Sequence, residues 1–196
     1  MRQPQSFYAQ PTRRLAKALL GCKLVRHLDG QRVAGIIVET EAYIGETDLA
    51  CHARAGRTAR TAVMYGRPGL AYVYFTYGLH WLLNVVSERE DFPAAVLIRA
   101  IEPVEGVELM QAARGPRPMI DLANGPAKLC QALRIDQALN GVDLTDARSD
   151  VWIEADRVVP ARSIQCGPRV GIGRTPEPWL SKPWRYWVKE SAFVSK

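Results

Sequence analysis

No stretch of this 196-residue chain is apolar enough to span a membrane, and no charged-then-apolar segment opens it. An intracellular protein is expected, in the cytoplasm or nucleoid if the source is bacterial, with no membrane partner. The four cysteines (Cys22, Cys51, Cys130, Cys166) are scattered without a C-x-x-C pair, which argues against a disulfide framework at this length. The three histidines lack metal-ligand spacing. Cys51-His52 is adjacent, but a four-ligand site needs several such residues converging. No metal and no cofactor are therefore expected. The chain has no G-x-x-x-x-G-K-[ST] loop, no G-x-S-x-G elbow and no metalloprotease helix, and Gly171-Ile172-Gly173 is too short for a dinucleotide fingerprint. It also has no internal repeat, low-complexity tract or linker. A single domain over 1–196 is expected, its first ten polar residues loosely held.

What is present is a basic, ordinary globular composition. Apolar residues make up 47% and charged residues 23%, with a formal charge of +6 and a pI near 9.3. That balance suggests an acidic partner, most simply nucleic acid, although many basic proteins bind none. The run Val33–Val38 reads as a buried strand. It continues into Glu39-Thr40-Glu41-Ala42-Tyr43. Strand alternation puts Glu39, Glu41 and Tyr43 on one face, with Val38, Thr40 and Ala42 on the other. Two carboxylates and a phenol leaving a core strand together read either as a salt-bridged strand end or as a catalytic cluster.

Elsewhere, Pro11 opens a short helix bearing Leu15, Leu19 and Leu20 and stopped by Gly21. Cys22–Leu28 reads as a strand, and Asp29-Gly30 as a hairpin turn. Gly45–Gly69 reads as a long loop carrying Arg54, Arg57, Arg60 and Arg67, either a solvated basic loop or an arm facing phosphates. Then Tyr72 and Tyr74 share a face with Thr76, while Val73, Phe75 and Tyr77 point the other way. Tyr77-Gly78 marks a turn, so Tyr77 is a candidate wedge at a hairpin tip. Ala94–Ile101 reads as a buried strand, inside which Arg99 demands an anionic partner. Glu102-Pro103 is expected to open a helix to about Arg114, and Asn124 to cap a second one bearing Pro126 and Lys128. Short strands are expected at Val151–Glu154 and Tyr186–Val188. These elements define a mixed α+β class, with several hairpin-connected strands and a few helices.

Val38–Tyr43, His52, Tyr72-Val73-Tyr74 with Tyr77-Gly78, Asn84, Arg99, Gly125–Leu133, Arg169–Gly173 and Lys182–Tyr186 occur in one order. Together they closely resemble the alkyladenine (3-methyladenine) DNA glycosylases, from about Gln10 to the C-terminus. The resemblance implies a curved antiparallel sheet with a hairpin entering the DNA minor groove. It implies that Glu41 is the catalytic carboxylate, and that Arg99 and the main chain at Val170 help position the attacking water. It implies that Tyr43, His52 and Tyr74 hold an extruded base, that Tyr77 fills the gap in the duplex, and that Asn84 crowds the exocyclic amine of guanine. Lys128, in the Gly125–Leu133 motif, is counted with the DNA-binding residues. Arg54–Tyr65 and Ala112–Ala123 depart from the animal pattern, and the long N-terminal extension of animal members is absent, as in a minimal bacterial type.

The expected activity is monofunctional excision of alkylated or deaminated purines (3-methyladenine, 7-methylguanine, hypoxanthine, ethenoadenine) from double-stranded DNA by a monomer. Glu41 would be held ionised by Arg99, with Glu39 in a structural role. The alternatives are a damage-binding protein without turnover and a nucleotide- or RNA-binding module on the same scaffold.

Overall fold

Strand β2 (Gln31–Ile44) is the axis of the molecule, and why it bends explains the site. It pairs with β1 (Lys23–Leu28) along its first half and with β8 (Arg185–Val188) at Glu39–Glu41. Along its other edge it pairs with β5 (Ala94–Glu105). The computed structural model describes residues 1–195. It holds an eight-stranded antiparallel sheet in the order β3-β4-β5-β2-β1-β6, with β7 joined through β8. Here β3 is Ala71–Thr76, β4 His80–Val86, β6 Val151–Glu154 and β7 Ile164–Gly167. Helices α1 (Gln5–Tyr8), α2 (Thr12–Ala18), α3 (Val107–Arg114) and α4 (Pro126–Ala132) surround it. Leu15, Ala16, Leu129 and Ala132 from α2 and α4 pack with Ile37, Val96 and Ile101 of the sheet into the main core. Among the described residues no helix is long and apolar enough to cross a membrane.

Strict alternation from Val33 would have sent Glu39 and Glu41 into that core beside Ile37. Two bulges prevent it. Ile37 pairs with Ile101, Glu39 with Ala100, and Thr40 with Ile98, so Val38 and then Arg99 are the extra residues. A bulge switches which parity faces inward and re-aims the side chains beyond it. In β2 the core residues are Val33 and Ile37 before the bulge and Ala42 after it; in β5 they are Val96 and Ile98, then Ile101. Because each strand gains one residue, the register recovers. Thr40, on the core side, donates its hydroxyl to Ala16 O at 2.8 Å. Val38 is the correction: it does not share the face of Thr40 and Ala42, but lines a groove with Ile36 and Val188.

Three further expectations change. The first ten residues are tied down: Gln3 N–H bonds Ile153 O at 2.8 Å, and Tyr8 is fully buried. The segment after Ile101 stays in β5 to Glu105, and α3 begins only at Val107, after Gly106 turns the chain at φ +64°. Pro103 lies within that strand, opposite Gly35 beside a register shift. Gly125, not Asn124, precedes α4; the Asn124 side chain instead bonds Asp121 and Lys128. The Gly45–Gly69 segment carries two 3₁₀ turns, His52–Ala55 and Ala62–Tyr65, and Cys51, Ala53 and Met64 bury in a second small core.

Candidate active site

Beyond the bulges, β2, β5 and the β3–β4 hairpin open into a pocket of about 320 Å³. Tyr43, His52, Tyr72 and Tyr74 wall it, and Asn84, Arg99 and Val170 also line it. Tyr72 and Tyr74 share a face because β3 alternates; Val73, between them, joins the main core. His52 meets the edge of Tyr74 at 4.4 Å between centroids, and its Nδ1 lies 2.9 Å from the Tyr72 hydroxyl. Burial, with help from the nearby Arg60 and Arg54 charges, lowers the His52 pKa to about 4. His52 is therefore a neutral ring near pH 7. Burial likewise raises the phenols of Tyr43 and Tyr74, and Tyr72 to about 12, so all three are neutral donors. Cys51, also on the lining, is a protonated thiol pushed up to about 12 by burial.

Behind this wall stands Glu41, with no exposed surface of its own. Its Oε2 accepts from the Tyr43 hydroxyl at 2.8 Å, and its Oε1 from Val170 N–H at 2.6 Å. Arg99 Nη1 lies 3.3 Å from Oε1. Glu41 therefore does not stand open to the slot. It touches the pocket through polar groups that line it. Burial raises its pKa, against the lowering effects of Arg99, Val170 N–H and the Tyr43 hydroxyl. A carboxylate that prefers a proton more than usual, yet is bonded as an anion, is suited to accept one from water. Burial opposes the charge on Arg99, but Glu41 and Glu39 outweigh it and raise its pKa.

Glu39 is buried and fully bonded to the scaffold. It accepts from Arg99 Nε at 2.8 Å, Arg185 Nε at 2.6 Å, and the Ser195 N–H and hydroxyl at 2.6 and 2.8 Å. Asn84 is buried in the lining and donates to Tyr72 O at 3.2 Å. Tyr77 sits at the tip of the hairpin at φ +52°, 81% exposed, and reaches the rim of the pocket. Its place in the turn takes it off the Val73 face that alternation assigned. Lys128 is not part of the lining; it bonds Asn124 Oδ1 at 2.7 Å on a half-exposed helix face. Of the loop arginines, Arg57 and Arg67 pair with Asp91 and Asp143, and Arg60 donates to Phe75 O beside the hairpin.

Sequence reasoning missed one pair. Asp48 and Arg169, both without exposed side-chain surface, form a two-point ion pair at 2.5 and 2.9 Å. Arg169 stood inside a recognised motif, and Asp48 is the last acid before the basic stretch of the loop. The missing signal was that Arg169 would be buried. Among the described residues no group of three or more His, Cys, Asp or Glu could hold a metal ion.

An aromatic-walled pocket of about 320 Å³, lined by Arg99 and backed by a buried carboxylate, is of the kind that can hold a flat ring and act on it. The family model described as Methylpurine-DNA glycosylase (MPG) matches residues 6–192. A protein of Methanocella arvoryzae named "Putative 3-methyladenine DNA glycosylase" is 50% identical over 98% of this chain and 95% of its own length. Proteins of the same name from Anaeromyxobacter dehalogenans (47%, covering 100% and 87%) and Carboxydothermus hydrogenoformans (45%, covering 98% of each chain) are similarly close. The chain belongs to the methylpurine-DNA glycosylase family, and DNA is its substrate.

Proposed function

We propose that the protein is a monofunctional glycosylase of base excision repair that takes alkylated or deaminated purines out of duplex DNA and hydrolyses their N-glycosidic bond. 3-Methyladenine is the substrate class named for its relatives; 7-methylguanine, hypoxanthine and ethenoadenine are the further lesions proposed. One observation carries this reading: the Glu41 carboxylate is bonded to two groups lining the aromatic pocket, the Tyr43 hydroxyl and Val170 N–H.

A base within a duplex is out of reach, so the nucleotide is first extruded, at a cost of about a few kcal/mol that is smallest for damaged or mispaired bases. Tyr77, exposed at the hairpin tip, occupies the vacated stack. The extruded purine lies among Tyr43, His52 and Tyr74. Ring faces attract a purine carrying the positive charge of alkylation, and the neutral His52 does not repel it. Water oxygen bonds C1′ as the C1′–N bond breaks, and the bond's electron pair leaves with the purine. The proton of the attacking water passes to Glu41. An N-alkylated purine leaves neutral, whereas hypoxanthine leaves as an anion that takes a proton from solvent. Arg99 balances the carboxylate charge that stabilises the cationic sugar. Among the described residues no lysine lines the pocket to attack the sugar, in keeping with a product that is an abasic site on an uncut strand.

The full burial of Glu41 favours one rival, a lesion-binding protein without turnover. In the hydrolytic reading, entry of the nucleotide loosens the Tyr43 contact and admits the water, while Val170 N–H keeps the carboxylate aimed. Incubation with methylated genomic DNA and with an inosine duplex, followed by chromatography of the released bases, separates the two. The parent protein is expected to release base, and E41Q to be slower by about 10²–10⁴-fold with lesion binding retained. Binding without release by the parent establishes the rival; release by E41Q at the parent rate removes Glu41 from the chemistry.

A further inference from the structure

The buried Asp48–Arg169 pair lies outside the pocket lining, yet it joins the three segments that meet at Glu41. Arg169 Nη1 donates to Asp48 Oδ2 at 2.5 Å and to Ala42 O, in the residue between Glu41 and Tyr43, at 2.9 Å. Its Nη2 donates to Asp48 Oδ1 at 2.9 Å. The guanidinium also stacks over the Tyr43 ring, 4.7 Å from the centroid. Asp48, for its part, accepts from Ile44 N–H and Ala50 N–H, which closes the turn leaving β2. The peptide following Arg169 carries the Val170 N–H that holds Glu41.

We infer that Arg169 is a positioning residue for the hydrolysis, clamped by Asp48 so that one cation sets both the Val170 N–H and the Tyr43 phenol against Glu41. The physical ground is geometric. A guanidinium presents donors in a rigid fork that a carboxylate matches at two points, and its plane stacks on a ring. A lysine in its place offers one compact charge, which cannot span Asp48 and Ala42 O while covering Tyr43. The loop Arg169–Gly173 has little else to hold it rigid: Val170 is 42% exposed, and a side chain added at Gly171 or Gly173 would meet open space. Cut off from Asp48, the loop is free to withdraw the donor from Glu41. Misplacement by about 1 Å is enough to cost about 10²-fold in rate.

This inference rests on the hydrolysis proposed above, so its test has readouts of two kinds. R169K retains the charge opposite Asp48 and is the first variant; the D48N/R169Q double variant removes both charges, so that neither is left buried alone. Single-turnover release of 3-methyladenine from a lesion duplex is expected to fall about 10²-fold in each, while lesion-duplex affinity changes less than about 3-fold. The acid limb of the rate profile is expected to move to higher pH, because Glu41 loses a donor that favours its anion. Independently of turnover, amide hydrogen exchange at Val170 is expected to lose protection. A folded R169K or double variant with the parent rate, an unmoved acid limb and a protected Val170 amide overturns the positioning role. A rate loss accompanied by an equal loss of affinity, with the limb unmoved, overturns it as well. If the parent releases no base, the hydrolytic reading falls first, and the exchange measurement alone decides whether Arg169 holds the loop.

Discussion

Glu39 and Glu41 stand two residues apart on one strand face, and neither has any exposed surface. Glu39 takes two guanidiniums, Arg99 and Arg185, together with both donors of Ser195. Glu41 has a share of one guanidinium, at 3.3 Å, and otherwise a phenol and a peptide N–H that both face the pocket. The cluster balances overall, two carboxylates against two arginines, but the cations are not divided evenly. The carboxylate surrounded by cations is tied to the scaffold. The one left short of them is bonded to groups that a ligand would touch, and burial raises its pKa. On the proposed function, identical side chains on a single face are thus separated into structure and chemistry by where the arginines are placed.

The sharpest way to break this comparison is E39Q. It strips the charge that Arg99 and Arg185 share and leaves the buried Arg99 short of a partner, and breaking a buried pair in this manner costs about 3–5 kcal/mol. Urea denaturation at pH 7 is expected to show that loss for E39Q and none of comparable size for E41Q. Equal losses would mean that both carboxylates are structural.

A contrast of the opposite kind exists at the hairpin tip. Tyr77 supports nothing in the fold, being 81% exposed. Y77A is expected to leave the denaturation midpoint unchanged while shortening the lifetime of an extruded ethenoadenine, followed by its fluorescence, by about 5- to 150-fold, the equivalent of about 1–3 kcal/mol of stacking. An unchanged signal would remove the wedge assignment and leave Tyr77 as an exposed turn residue.

Much of this arrangement was legible before any coordinates. Apolar runs and turn residues give β1, β2, the β3–β4 hairpin and β6 close to their observed bounds, and the start of β5 but not its last four residues, because periodicity and Gly or Pro punctuation are local signals. The grouping of Glu39, Glu41 and Tyr43 on one face followed from alternation and held. The paired bulges at Val38 and Arg99 did not show, since each is an agreement between two strands some sixty residues apart and neither strand contains Gly or Pro at the point of insertion. Strand β7 was also missed: it is four residues long, without a buried apolar face, and is held in place by pairing with β8. The Asp48–Arg169 pair was hidden for the same reason as the bulges. Each residue alone reads as a surface charge, and their burial is a property of the packed loops. Lys128 illustrates the converse, a motif residue that the fold sets outside the pocket lining.

The smallest expected effect is also the most diagnostic, because it has a direction that a structural carboxylate would not give. Glu41 is held above the ordinary carboxylate pKa of 4.5, mainly by burial. Well below that value both the folded and the unfolded chain carry the proton, and burial imposes no charge penalty. As pH rises past 4.5 the unfolded chain releases its proton first, so the folded state loses stability until Glu41 itself ionises, and the loss then levels off. E41Q has no proton to lose and escapes the penalty. The unfolding free energy of E41Q relative to the parent is therefore expected to rise as the pH climbs past about 4.5 and to plateau once Glu41 itself has ionised, each kcal/mol appearing as about 2–4 °C in Tm. A variant that loses base release while gaining stability in this pH-dependent way identifies Glu41 as a group kept at a cost to the fold for the sake of its chemistry. A gap that instead narrows as pH rises would mean that the charged form of Glu41 is stabilised in the fold, and the distinction from Glu39 would disappear.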